Sequence, residues 1–183
     1  NKMEFSCSDR RWLLPDEMDK SEIDKNFALG LHVPGTFYKV IDTRVCFLQP
    51  ELGNNILDDV RKYIKASGVP VYGLRTHIGF WRFIMLRYSA AYNQWMVNII
   101  TSKEDRKTVQ PLADQLMTTY PQIVSVVNNI TSRKAGIAIG EYEVPLVGDD
   151  HLKDAIESFE FIISANSFFQ TNPWAGRSLY ETA

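Results

Sequence analysis

Apolar and polar positions change period several times along the chain, and each change marks an element. Lys2–Ser8 alternates polar and apolar residues, the period of a half-buried strand. Residues 11–14 are expected as its return strand in a hairpin, and residues 15–26, charged and poor in apolar side chains, as a loop. Residues 27–32 and 38–43 read as two strands around the turn Pro34-Gly35. Residues 50–66 place Leu52, Ile56, Leu57, Val60 and Ile64 on one helical face. Gly68 stands where a C-terminal cap belongs, and Pro70 follows it. Residues 80–88 and 95–101 form a hairpin across 90–93. Residues 104–120 predict a second helix with Val109, Leu112, Leu116 and Met117 turned inward, Ser102 as N-cap and Pro121 as its stop. Ile123–Ile130, 142–147 and Phe159–Ser164 read as strands, with a loop at 131–140 that carries Arg133 and Lys134. Asn172-Pro173 opens a last helix, Pro173 being suited to the first turn.

Strands, helix, hairpin, helix and strands in that order predict an α+β fold, an antiparallel sheet with two covering helices. A hydrophobic content of 45% supports a packed core. With 20 basic and 22 acidic side chains the net charge is -2, which excludes a whole-chain basic footprint for nucleic acid. Any such contact must come from a local patch. Arg75, His77, Trp81, Arg82 and Arg87 make one candidate, and Lys2, Arg10 and Arg11 a second. Residues solvated beside a strand, with no RNA contact, are the slightly favoured reading of both, because no spacing among them reads a base. No apolar run approaches the roughly 20 residues of a membrane span. The charged start Asn1-Lys2-Met3-Glu4 is not a signal peptide. The expectation is a soluble, cytoplasmic chain with no membrane and no obligate protein partner. Both ends read as cut, since the chain does not start with Met and stops within a helix-like pattern.

Common catalytic signatures are absent: no glycine-rich dinucleotide or phosphate loop, no His-Glu-x-x-His, no Gly-x-Ser-x-Gly and no Cys-x-x-Cys. His32, His77 and His151 lie far apart, without ligand spacing. Asn129-Ile130-Thr131 fits a glycosylation pattern that a cytoplasmic chain would not use. The two cysteines, Cys7 and Cys46, belong to a chain too large and core-rich to need a disulfide.

The tail differs. An apolar strand runs into Ser164-Ala165-Asn166-Ser167-Phe168-Phe169-Gln170-Thr171-Asn172. Two aromatics and two amides in a turn before a helix have two readings. An aromatic face can stack on an unpaired base, worth about 1–3 kcal/mol. An amide offers both a donor and an acceptor to a ligand. Alternatively, the phenylalanines plug a core and the amides cap the helix, and chemistry alone leans that way.

That stretch resembles the Phe-x-Gln-x-Asn signature of the bacterial RNA (uracil-5-)-methyltransferases, which form 5-methyluridine in tRNA and 23S rRNA. Residues 1–5, 27–32, 40–46, 74–75 and 83–87 resemble successive strands of the same family's central domain, so the likeness covers essentially the whole chain. The resemblance implies a division into a central RNA-facing domain at 1–155 and, at 156–183, the truncated edge of a methyltransferase domain. It implies that Phe168 stacks on the target uracil, that Gln170 binds S-adenosylmethionine and that Asn172 shapes the same pocket. Lys2, Arg75 and Arg82 become the basic residues expected to meet RNA. Cys46 matches the last of four cysteines that hold a 4Fe–4S cluster in many members. Such a cluster needs four thiolates, so this piece is expected to hold none, and any cluster belongs to the intact protein.

In the intact enzyme the resemblance implies a cysteine thiolate adding to C6 of uracil, methylation at C5 and removal of the C5 proton by a base. The base must leave its stack to react. The nucleophile, the general base and the glycine-rich donor motif are expected outside these residues, so the piece alone is expected to be inactive and to carry no cofactor. A stand-alone RNA-binding module and a small protein-interaction domain remain as alternatives; exposure of Phe168 would argue against the second.

Overall fold

A computed structural model describes residues 1–134 and 136–182, leaving aside the side chains of Pro173 and Trp174. A seven-stranded sheet of β1 (Lys2–Ser8), β2 (Ala28–His32), β3 (Val40–Asp42), β4 (Trp81–Ser89), β5 (Gln94–Thr101), β6 (Ile123–Ile130) and β7 (Tyr142–Gly148) forms its centre. Their spatial order is β3-β2-β1-β4-β5-β6-β7. Two helices, α1 (Glu51–Ala66) and α2 (Arg106–Thr119), cover one face. The fold is α+β, as the alternation of periods implies.

The apolar stripe of α1 meets every second residue of the central strands. Ile56, Leu57, Val60 and Ile64 pack with Phe5, Leu29, Ile84, Leu86, Trp95 and Val97. Val109, Leu112, Ala113 and Leu116 of α2 join the same core. The chain leaves α1 at Gly68, whose φ of +66° a glycine adopts without a Cβ penalty.

Three expectations change. Residues 11–14 are not a return strand: Arg11 makes a single parallel bridge to Val40, and the chain then enters a 3-10 turn at Pro15–Glu17. The edge of β1 is taken instead by β2, in the register Ser6↔Gly30. The sheet is not wholly antiparallel, because β5 and β6 run parallel. A helix separates these two strands, and such a crossover returns the chain in the same direction. The cap of α2 is Asp105, whose carboxylate accepts from the Thr108 hydroxyl at 2.9 Å, while Ser102 donates to the Gly79 carbonyl at 2.7 Å.

The opposite face carries a separate hairpin of β8 (His151–Ile156) and β9 (Phe159–Ser164). β8 was not expected as a strand, and its pairing with β9 spans position 155. Leu152, Ile156 and Ile163 pack on Met96 and Val127 of the sheet. The last helix, α3 (Pro173–Thr182), follows the hairpin. Among the described residues no helix is long and apolar enough to cross a membrane. Asn129 is fully buried in β6 and hydrogen-bonded to Asn166, so the glycosylation pattern is inaccessible in this fold.

Candidate functional site

β9 delivers the chain to a tight turn. The Ser167 amide donates to the Ser164 carbonyl at 3.2 Å, and the two hydroxyls lie 2.7 Å apart. Three long-range ties hold this turn on the sheet. The Arg87 guanidinium donates to the carbonyls of Ala165, at 3.2 Å, and of Ser167. The Asn129 amide of β6 donates to Asn166 Oδ1 at 2.5 Å. Glu143 of β7 accepts from the Asn166 amide at 2.9 Å. Arg87 is only 3% exposed, and burial pushes its pKa down, with Glu4 and Glu143 countering at longer range.

Beyond the turn the two phenylalanines part. Phe169 is buried against Phe161, with ring centroids 5.2 Å apart, in the core beneath the hairpin. Phe168 is 85% exposed. A large apolar ring held in water on a fixed turn is surplus to the core and open to a planar partner. The core reading therefore holds for Phe169 and not for Phe168.

The amides also part. Asn172 caps α3, its side-chain oxygen accepting from the Ala175 amide at 3.2 Å. Gln170 is half-buried, and its amide makes no hydrogen bond among the described residues. Its stem crosses the first turn of α3 at Gly176, where an added Cβ would lie 3.3 Å from Gln170 Cβ. Phe168 and Gln170 are thus neighbours on one strap, with an exposed ring and an amide that has no partner among the described residues.

Other expected residues lie elsewhere. Lys2 is ion-paired with Glu4 at 2.5 Å, at the opposite end of β1 from Arg10 and Arg11. Arg75 is exposed, with its guanidinium 4.0 Å from the Tyr38 ring centre. Arg82 is 1% exposed and donates to the carbonyls of Thr131 and Arg133, so it braces a loop beneath the surface. Cys46 is 6% exposed, in the helix-side core, with Asn54 bonded to its backbone amide and carbonyl. The Cys7 thiol is fully buried and its pKa is raised by burial. The described residues contain no group of three or more metal-ligating side chains. The described residues thus give a 4Fe–4S cluster no support.

Sequence reasoning missed Asn129, Glu143 and Asn166 as supports of the strap, and placed Arg87 with the RNA-facing arginines. No local signal marks them, because their partners are remote in the chain. β8 was missed because Asp154, one of its buried positions, breaks the apolar alternation. That carboxylate accepts from the Ser89 hydroxyl at 2.9 Å.

Comparison with known proteins gives consistent matches. The chain is 42% identical over 184 residues to an uncharacterized RNA methyltransferase of Chlorobaculum tepidum, covering 99% of this chain and 38% of the relative. It is 33% identical over 196 residues to an uncharacterized RNA methyltransferase of Porphyromonas gingivalis, covering all of this chain and 40% of that one. The chain therefore spans about two fifths of the length of the curated relatives it matches. The fold is similar to that of the Pyrococcus abyssi tRNA (uracil-54, C5)-methyltransferase, solved with S-adenosyl-L-homocysteine. The TM-score is 0.72 at 19% identity, over 100% of this chain and 39% of that one. No family model matches.

Proposed function

We propose that the chain, whose relatives are RNA methyltransferases, belongs to the RNA (uracil-5-)-methyltransferase family and forms the base-presenting part of an S-adenosylmethionine-dependent enzyme that methylates C5 of a uridine in RNA. The carrying observation is the division between Phe168 and Phe169. One ring anchors the strap in the core while its neighbour stands 85% exposed two residues before the half-buried Gln170. In this reading Phe168 stacks on a uracil drawn out of its RNA stack. Gln170 hydrogen-bonds the methyl donor, and Asn172 acts by capping α3 so that the strap keeps its direction. S-adenosylmethionine, when bound, supplies the methyl group; the residues here position and do not transfer it. The nucleophile and base are assigned to the rest of the intact enzyme, and the 183 residues alone are inactive in this proposal. The division into an RNA-facing part, 1–155, and a methyltransferase edge, 156–183, belongs to the same reading. Among the basic residues, exposed Arg75 is the best placed for RNA, Lys2 is tied to Glu4 and Arg82 supports from beneath.

The test is methyl transfer to uridine-containing RNA by the full-length protein, with the product base identified by mass spectrometry. Phe168→Ala should lower turnover by roughly 5- to 150-fold, the equivalent of about 1–3 kcal/mol of lost stacking. Its melting curve should stay unchanged, because the ring is exposed. Gln170→Ala should raise the KM for S-adenosylmethionine. Near-normal turnover in both variants would remove the site assignment, and methyl transfer by the 183-residue chain alone would remove the claim that it is inactive.

A further inference from the structure

We propose that a cavity at the Ser8 end of β1 holds an unpaired stretch of RNA between cations and aromatic rings, apart from the base-presenting strap. The proposal rests on RNA as the substrate and goes beyond it by assigning the surface that grips the strand. The cavity measures about 240 Å³, and its walls include Arg10, Trp12, Tyr38, Lys39 and Arg75. A second hollow of about 390 Å³ shares Leu74 and Arg75 with it and adds Phe37, His77 and Lys134. The two hollows adjoin at Leu74 and Arg75, and together they are the track.

Charge on this track is available. Among the described residues, none of Arg10, Lys39, Arg75 and Lys134 makes an ion pair. Arg11 is the exception, spent on Glu17 and Asp42, and Asp9 adds one carboxylate to the wall. A chain of net charge -2 thus concentrates uncompensated cations at one place.

The rings decide the class of ligand. Lys39 Nζ lies 3.8 Å from the Trp12 ring centre, and the Arg75 guanidinium 4.0 Å from that of Tyr38. Each stack holds its cation still without neutralising it. Phe37 is 70% and Trp12 39% exposed, which leaves ring surface for further stacking. Unpaired nucleotides offer bases to rings and guanidinium planes, and phosphates to ammonium groups. Duplex RNA or an acidic peptide would use the cations and leave the rings idle. The track is also distinct from the strap. Lys2 lies opposite Arg87 in register, and the six steps from Lys2 to Ser8 span roughly 20 Å.

The experiment measures binding of the full-length protein to a labelled single-stranded RNA by fluorescence anisotropy over a salt series. Lys39→Glu and Arg75→Glu should each weaken binding by about tenfold or more and reduce the salt slope by about one. Trp12→Ala should weaken it by roughly 5-fold or more with the slope kept, and Trp12→Phe should restore it. Lys107→Glu, an exposed charge on α2, should leave binding unchanged. Circular dichroism of each variant confirms its fold, with Phe37→Ala, at a ring 70% exposed, carrying the same expected loss if Trp12→Ala does not fold. Loss in the charge variants with full affinity in Trp12→Ala would overturn the proposal in favour of a duplex or acidic-peptide surface. Equal loss in Lys107→Glu would overturn it as non-specific attraction. If the wild-type protein transfers no methyl group to RNA, the catalytic reading fails while the anisotropy series still decides the track.

Discussion

Arg61 and Arg87 are both almost fully buried, yet they secure different things. Arg61, on α1, meets Asp42 at 3.2 Å and Asp58 at 3.1 Å, and also donates to the carbonyls of Leu29 and Thr43. Its charge is answered by charge, and the cluster ties α1 to the strands β2 and β3. Arg87 has no carboxylate within ion-pair distance among the described residues, and it donates to the carbonyls of Ala165 and Ser167, ahead of Phe168. Within hydrogen-bond reach its charge is answered by dipoles, with Glu4 and Glu143 acting at longer range. A desolvated cation of this kind costs stability unless its hydrogen bonds recover it. The paired arginine therefore belongs to the fold, and the unpaired one to the order of the strap.

The hardest test of that contrast is Arg61→Ala. It strips the buried Asp42 carboxylate of its buried partner, and the expected loss is about 3 kcal/mol in urea unfolding. Loss of less than about 1 kcal/mol would break the contrast at its stronger end, since an exposed pair is worth no more than that.

Arg87→Gln should cost about 1–3 kcal/mol, the penalty for carbonyls left without a donor. The loss should be local. Backbone amides at 167–170 should exchange faster, and kcat in the full-length protein should fall more than the affinity for RNA. Arg87→Lys, which keeps a donor, should recover part of both. A fall in global stability equal to that of Arg61→Ala, with no change in exchange at the strap, would erase the distinction.

Asn172→Ala sharpens the picture further along the chain. Removing a cap costs about 1 kcal/mol, here confined to α3 and readable as faster exchange of its first-turn amides. Unchanged exchange would show that α3 starts without the cap.

The smallest effect belongs to His32, another base without an acid partner among the described residues, bonded to the Ser6 hydroxyl at 2.7 Å. Burial lowers its pKa below the ordinary 6.5. The unfolded chain then takes up the proton first as pH falls. Stability should be full above about pH 6.5 and decline below it, toward the lowered folded pKa. His32→Gln should flatten that limb of the stability–pH curve; an unaltered curve would assign the loss to other groups.

The elements written in local periodicity were legible. β1 and β9 keep the bounds that their alternation implies, and α1 follows its apolar stripe to the Gly68 turn. β8 was not legible, because a buried Asp154 satisfied by Ser89 looks like a surface residue in the chain. Ser102 and Asp105 illustrate the same limit for caps: both side chains can cap a helix, and only Asp105 meets the Thr108 amide.

At the strap, the sequence by itself determined that two aromatics and two amides stand in a short turn before a helix. The order of residues and the caps they permit are local properties. Tertiary structure decided which ring is free, which amide is spent and what holds the turn. Those outcomes depend on Phe161 beneath Phe169, and on Arg87 reaching a carbonyl 78 residues away. A contact at that separation leaves no period in the chain, since it exists only once the sheet has brought its two ends together.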